Sequence, residues 1–368
     1  MSLGHEPLDR ARYEAIDPLA TGPGAVRTAF TNQVAYCRDN QAPVTALVCH
    51  ALLELLGGER GGAVMTRIRA WDGPPLADAL PLRIAGGLHA LRLRDMEAGL
   101  EPIYAGEAPG DAADRVAQAL ERHETFLLPW LDGPPQTNEA GRSWAFAAAM
   151  LWLAEQGCPA TFALYELGSS AGINLLMKDY RFDLGGVEVG TAVAAMRIAP
   201  EWRGAPPPAG AFEIVEARGC DVAPVDLTDP AQALRLRAYI WPELTDRFAR
   251  MDAAVAAARR SPPSIEKTPA GEFVKKVLAR GPRRGVTRMI MHSVVWQYIP
   301  ADERAGIAAA IEAAGANATA DTPLAWVMLE ANRDTHRHEL TVRWWPGGAA
   351  AITLATAHPH GAWVEWAG

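Results

Sequence analysis

Between Thr161 and Phe182 the chain reads TFALYELGSSAGINLLMKDYRF, and this stretch constrains the fold more than any other. Thr161–Leu167 is mostly apolar, with β-branched and aromatic residues, and predicts a buried strand. Glu166 is the acidic residue near its carboxyl end. Gly168-Ser169-Ser170-Ala171-Gly172 predicts a tight turn, because every side chain there is absent or small. Ile173, Leu176, Met177 and Tyr180 then fall at i, i+3, i+4 and i+7, the spacing of one helical face, with Ser169 or Ser170 as its cap. A strand, turn and helix in this order turn backbone N–H groups toward a ligand, at the edge where open α/β sheets bind one.

The same residues fit two chemistries. Glu166-x-Gly168-x-x-x-Gly172 resembles the first motif of class I S-adenosylmethionine-dependent methyltransferases. Gly168-x-Ser170-x-Gly172 matches the G-x-S-x-G elbow of α/β-hydrolases, with Ser170 as nucleophile. The remainder of the chain bears on the choice.

Ahead of this stretch the pattern is helical. Val26–Cys37, Val44–Leu56, Leu82–Arg94, Arg115–Trp130 and Glu139–Gln156 carry apolar residues at helical spacing, separated by Gly and Pro breakers. The expected division is a helical domain or cap over residues 1–135 and an α/β domain over 136–368. Thr137 or Asn138 caps the last of these helices. Asn138, Glu139 and Arg142 at its start are candidates to face a pocket and grip a substrate.

From residue 158 strands and helices alternate, which predicts a mainly parallel sheet. Asp183–Pro208 is irregular, with room for a hairpin. Phe212–Ala217 reads as the next strand of the sheet, with Glu216 and Asp221 as acidic candidates after it. Asp229–Arg260 reads as helix broken at Trp241-Pro242. Arg280, Arg283 and Arg284 read as a solvated basic loop. Val286–Met291 predicts a strand that delivers His292 and Ser293, and Tyr298-Ile299-Pro300 then leads into a helix over Asp302–Ala314. Pro323–Leu329 predicts a strand ending at Glu330. Leu340–Trp345 and Ala350–Ala357 predict a hairpin across Pro346-Gly347-Gly348. His358 and His360 follow it.

Composition excludes several classes. The chain of 368 residues has a net charge of −8, which argues against a bulk electrostatic grip on nucleic acid or anionic lipid. Its 49% hydrophobic and 21% charged content is that of a soluble globular protein. The four cysteines show no CxxC spacing, and no signal peptide or 18-residue apolar run is present, so the expectation is a cytoplasmic protein with reduced thiols. No metal-ligand cluster is read from the sequence.

The hydrolase would need Glu330 with His358 or His360 as the partners of Ser170, but it gives Glu166 no role and has no oxyanion loop of the HGGG type. The methyltransferase resemblance uses Glu166, the acid after the second strand, the His292 region and the final hairpin. More narrowly, TNEAGRS, ELGSSAGINLL, HSVVWQYIP and ATAHPHG together resemble an uncharacterised bacterial family that carries a domain-of-unknown-function label and is grouped by fold with the methyltransferases.

The resemblance implies a Rossmann-like methyltransferase-type sheet, mostly parallel with a closing antiparallel hairpin, that binds S-adenosylmethionine. It implies Glu166, Gly168, Ser169, Ser170, Ala171, Gly172, Asn174, Asp221, His292 and Ser293 around the cofactor, with Glu166 near the methionyl amino group and Asp221 on the ribose. His292 or Glu330 would act as general base on a small-molecule acceptor. Asn138, Glu139, Arg142, Tyr298, His358 and His360 would line the acceptor side. A non-catalytic nucleotide-binding protein is the third reading of the same residues.

Overall fold

In the computed structural model, residues 17–332, 335 and 337–368 are described. The first sixteen residues of the expected helical domain lie outside them. The chain divides into two compact units, one comprising residues up to Thr137 together with Leu234–Phe248, the other Asn138–Ala233 with Ala249–Gly368. The segment 234–248 was expected within the sheet domain, yet it packs with the helical one.

The helices of the first stretch are α1 (Gly22–Asp39), α2 (Pro43–Leu55), α3 (Gly62–Arg69), α4 (Leu80–Leu93), α5 (Glu101–Tyr104), α6 (Ala112–Arg122) and α7 (Glu124–Leu127). The helix expected over 115–130 is thus divided into α6, α7 and a 3-10 turn at Leu128–Leu131. In α1, Val26, Phe30, Val34 and Cys37 form the buried stripe that meets Leu52 of α2 and Ile84 of α4 in one core. The returning segment completes this core. Glu243 caps the start of α2, accepting from the backbone N–H groups of Val44 (2.7 Å) and Thr45 (3.0 Å) and from the Thr45 hydroxyl (2.9 Å). Tyr239 lies so close to Gly86 of α4 that a Cβ there would come within 2.5 Å of its ring. His89 is buried beside the Ala238 carbonyl at 3.0 Å and stacks on Tyr104. Burial pushes its pKa down to about 4.

The second unit is α/β. Its strands are β1 (Thr161–Leu167), β2 (Tyr180–Leu184), β3 (Val187–Gly190), β4 (Met196–Ile198), β5 (Glu201–Arg203), β6 (Glu213–Asp221), β7 (Ser264–Lys267), β8 (Thr287–Ser293), β9 (Leu324–Asn332), β10 (Arg337–Trp345), β11 (Gly348–Ala357) and β12 (Trp363–Trp366). Its helices are α8 (Ser143–Glu155), α9 (Pro230–Ala238), α10 (Thr245–Arg260), α11 (Ala270–Ala279) and α12 (Ala301–Gly315), the end of α9 and the start of α10 belonging to the first unit.

Among the described residues nine strands form one sheet in the order β5-β12-β11-β10-β9-β8-β1-β6-β7. The five strands from β9 to β7 are parallel, and β10, β11 and β12 continue the sheet antiparallel. Strand β1 is central and buried on both faces from Phe162 onward, as its unbroken apolar run requires. From β1 the chain builds outward through β6 and β7, then returns to place β8 and β9 on the other side. The strand order therefore reverses beside β1, where the glycine-rich turn leaves the sheet.

The helix expected after that turn does not form. Asn174–Asp179 is a 3-10 segment that runs directly into β2. Ile173, Leu176, Met177 and Tyr180 are all buried, so the apolar spacing is used without an α-helix. The Tyr180 hydroxyl donates to the Ile173 carbonyl at 2.8 Å, closing the segment on itself. Strands β2, β3 and β4 make a separate small sheet. No helix among the described residues is long and apolar enough to cross a membrane.

Candidate functional site

The carboxyl end of β1 brings together Glu166, the turn and Asp221 of the neighbouring β6. Glu166 and Gly219 are register partners, so the last residues of β6 flank the turn. Ser169 donates from both its N–H (2.9 Å) and its hydroxyl (3.0 Å) to the Cys220 carbonyl. Asp221 accepts from the Ser170 N–H at 2.8 Å and from the Ala223 N–H at 2.8 Å. Asn138 accepts from the Ile173 N–H at 3.0 Å and fixes the far side of the turn.

The glycines expected to leave room for a ligand are required by the protein itself. Gly168 lies at φ +64°, and a Cβ on it would stand 2.9 Å from the Val295 Cβ. Gly172 lies at φ +69°, where a Cβ would stand 2.8 Å from Pro263. Ala171 is fully buried. The picture of these residues lying bare beneath a cofactor is therefore corrected: Val295, Pro263 and Ile265 occupy that space.

The polar side chains of the turn behave differently. Glu166 is 1% exposed, and its Oε1 accepts from the Asn174 side-chain amide at 2.7 Å. Its Oε2, the Asn174 Oδ1 and the Ser170 hydroxyl are buried without a hydrogen-bond partner. Burial pushes the Glu166 carboxyl up to about 8, with the nearby Asp221 adding to the rise and the Asn174 amide opposing it. Ser170 itself holds φ +52°, a conformation unusual for a residue with a side chain. Three unsatisfied polar atoms on nine residues of chain are a feature that native proteins keep for a reason, a polar ligand among them.

His292 and Glu330 are placed otherwise than a general base requires. His292 is fully buried at the end of β8 and stacks on Trp296, with ring centroids 4.9 Å apart. Its Nε2 accepts from the Trp326 indole at 3.1 Å, so the proton sits on Nδ1, which donates to the Glu330 carboxylate at 2.6 Å. That same oxygen accepts from the Val295 N–H (3.1 Å) and the Trp296 N–H (3.3 Å). Both ring nitrogens are engaged, and the pair secures the loop after β8, in which Val294 takes φ +55°. Ser293 ends β8 beside Leu329 of β9.

The remaining candidates divide. Glu139 accepts from the Gly141 N–H (2.9 Å) and from Arg250 of α10 (2.8 Å). Arg142 donates to the Pro359 carbonyl at 2.9 Å, which brings the start of α8 to the His358–His360 turn. Within that turn the His358 ring accepts from the His360 N–H at 3.2 Å. His338 of β10 is half-buried, with its pKa lowered first by burial and then by nearby Arg142, while Glu330 opposes both. Tyr298 is 74% exposed and touches none of these groups in a hydrogen bond. Arg250, Trp326, Val295 and His338 escaped the sequence reading. Each acts through a partner distant in sequence; Val295 lies within HSVVWQYIP, and the other three stand in no motif.

Two shallow grooves, of about 170 and 300 Å³, flank the first half of β6 beside Lys178 and Ile214, away from Glu166. Both are at or below the lower end of the range of small-molecule sites. Among the described residues no group of three or more His, Cys, Asp or Glu side chains is arranged to hold a metal ion.

The family described as an uncharacterized protein conserved in bacteria, DUF2332, matches residues 27–366. The chain belongs to this family. No curated protein and no solved structure matches the chain.

Proposed function

We propose that the sheet unit binds S-adenosylmethionine and transfers its methyl group to a small molecule. The observation that carries this reading is the buried, unpartnered set at the end of β1: Glu166 Oε2, Asn174 Oδ1 and Ser170 Oγ. A ligand with an ammonium group and several hydrogen-bonding atoms answers that set, and a methionyl moiety has both. The reversal of strand order beside β1 supports it, as do the antiparallel strands beyond β9, because both agree with the arrangement that the methyltransferase resemblance implies.

In this reading Glu166 takes the ammonium and is ionised by it, and Asp221 holds the ribose while keeping its bond to the turn. The bound donor supplies an already activated methyl group. The chain's own residues contribute orientation and exclusion of water. His292 and Glu330 serve as supports of the loop that carries Val295 over Gly168, and the acceptor is a small molecule. The test is a titration with S-adenosylhomocysteine by calorimetry, for the wild type and Glu166→Ala. Saturable binding that the substitution weakens at least tenfold supports the reading. Absence of binding at millimolar ligand overturns it.

A serine hydrolase is the second reading, favoured by the φ of +52° at Ser170 and its unpartnered hydroxyl, since the nucleophile of such an elbow sits on a strained turn. Among the described residues no histidine hydrogen-bonds that hydroxyl. Covalent labelling of Ser170 by a fluorophosphonate would decide for it.

A further inference from the structure

On the opposite face of the sheet a second polar cluster is short of an anion. Residues paired across parallel strands point to the same side, and Arg288 of β8, Ala163 of β1 and Glu216 of β6 are register partners in one row. Tyr165 stands on the same face, two residues further along β1, whereas Glu166 faces the other way. Arg280 and Arg283, from the loop after α11, reach the same carboxylate: Arg280 Nη1 lies 3.4 Å from Glu216 Oε1 and Arg283 Nη1 3.7 Å from its Oε2. Both contacts are loose for ion pairs.

Arg288 has no such partner. It is 6% exposed, and its Nε and Nη1 are buried without an acceptor. Burial lowers its pKa, and its neighbour Tyr165, whose own pKa is raised first by burial, is a neutral phenol close to Glu216 and offers no counter-charge. Arg280 and Arg283 therefore share one carboxylate while Arg288, on the same face, has no acceptor of its own, a local excess of two positive charges in a chain whose net charge is −8. The neighbouring Arg218 and Lys276 both turn to Glu266, which leaves one further positive charge beside the cluster. A buried unpaired guanidinium is strongly destabilising unless a counter-ion reaches it. Arg280 and Arg283 are half-exposed, so a ligand has an approach from solvent between them.

We infer that this face binds a doubly charged oxyanion of the phosphoryl class, held by Arg288, Arg280 and Arg283. Two negative charges balance the excess, and a tetrahedral oxyanion offers each guanidinium its own oxygen. The site is separate from Glu166, from which it is divided by the thickness of the sheet, and it does not depend on the methyltransferase reading.

The experiment is a titration of the full chain with inorganic phosphate and, separately, with glycerol 3-phosphate, by calorimetry at low ionic strength with chloride as control. The variants are Arg288→Met, which keeps the volume and removes the charge, and Arg283→Gln at the exposed rim. The expected result is saturable binding of phosphate by the wild type, weakened about tenfold or more in each variant, with S-adenosylhomocysteine titrations unchanged. Tighter binding of glycerol 3-phosphate than of phosphate assigns the site to a phosphate ester, and the reverse assigns it to the free ion. No binding by the wild type at about 10 mM phosphate, well past the usual range of specific sites, overturns the inference. Binding that neither variant weakens also overturns it. Should Arg288→Met fail to fold, Arg283→Gln alone decides.

Discussion

The Nδ1–H of His292 and the carboxylate of Glu330 meet at 2.6 Å, and the same carboxylate oxygen takes two backbone N–H groups from the loop that follows His292. One acidic side chain on β9 thereby sets both the imidazole tautomer and the path of a neighbouring loop. Glu330→Ala leaves three donors without an acceptor and is expected to destabilise the protein by about 3 kcal/mol or more. Urea unfolding measures the loss. The emission of Trp296 and Trp326, which pack on His292, should shift to the red in the native variant as the loop loosens.

Glu166 makes stability depend on pH with a defined sign. The folded carboxyl keeps its proton up to about pH 8, whereas the unfolded chain releases it near 4.5. The folded state therefore binds the extra proton between these values, and stability is full below pH 4.5 and declines as pH rises to 8. Glu166→Gln removes this dependence. The wild type should lose about 1.4 kcal/mol per pH unit relative to the variant across that window, as read from urea midpoints at pH 5, 6, 7 and 8.

Binding of a cationic ligand at Glu166 must expel that proton. At pH 7, S-adenosylhomocysteine binding is expected to release close to one proton, and the affinity should rise as pH approaches 8. Calorimetry in two buffers of different ionisation enthalpy gives the proton count. A count of zero would mean that the ammonium lies elsewhere.

Gly168→Ala places a Cβ at φ +64° and against Val295. The left-handed backbone costs about 1–2 kcal/mol and the clash adds to it. Val295→Ala in the same chain removes the Cγ methyl groups that meet the new Cβ but keeps the Cβ of residue 295, so it should recover much of the steric part and leave the backbone part, and the two substitutions are non-additive in a double-mutant cycle.

Glu243→Ala strips the start of α2 of the acceptor for three donors. An expected loss of about 1–2 kcal/mol follows from the usual worth of helix caps. Glu243→Gln should retain part of it, since an amide oxygen still accepts. Thermal unfolding of the two variants gives the comparison.

Strands β1, β8 and β9 were readable because a central parallel strand is apolar on both faces and stands out as a continuous run. Strands β5, β7 and β12 were not, since three or four residues display no period. The spacing of Ile173, Leu176, Met177 and Tyr180 predicted a helix, and tertiary burial used it in a 3-10 segment instead. At the candidate site the sequence put Glu166, Ser170 and Asp221 near one another through their places at strand ends. It could not reveal that His292 is closed off, because that depends on Trp326 and Glu330, 34 and 38 residues away. Nor could it reveal Arg288 as unpaired, since what surrounds a side chain across a sheet is a property of register.

Because residues 234–248 belong with the helices while the chain on either side belongs with the sheet, the polypeptide passes between the two units three times. Neither unit is a contiguous gene segment, so a swap or deletion at one breakpoint would carry away part of the other. In the bacterial lineages that hold this family, changes at Tyr239 or Glu243 should track changes near Gly86 and Thr45, whereas their immediate flanks follow a separate history.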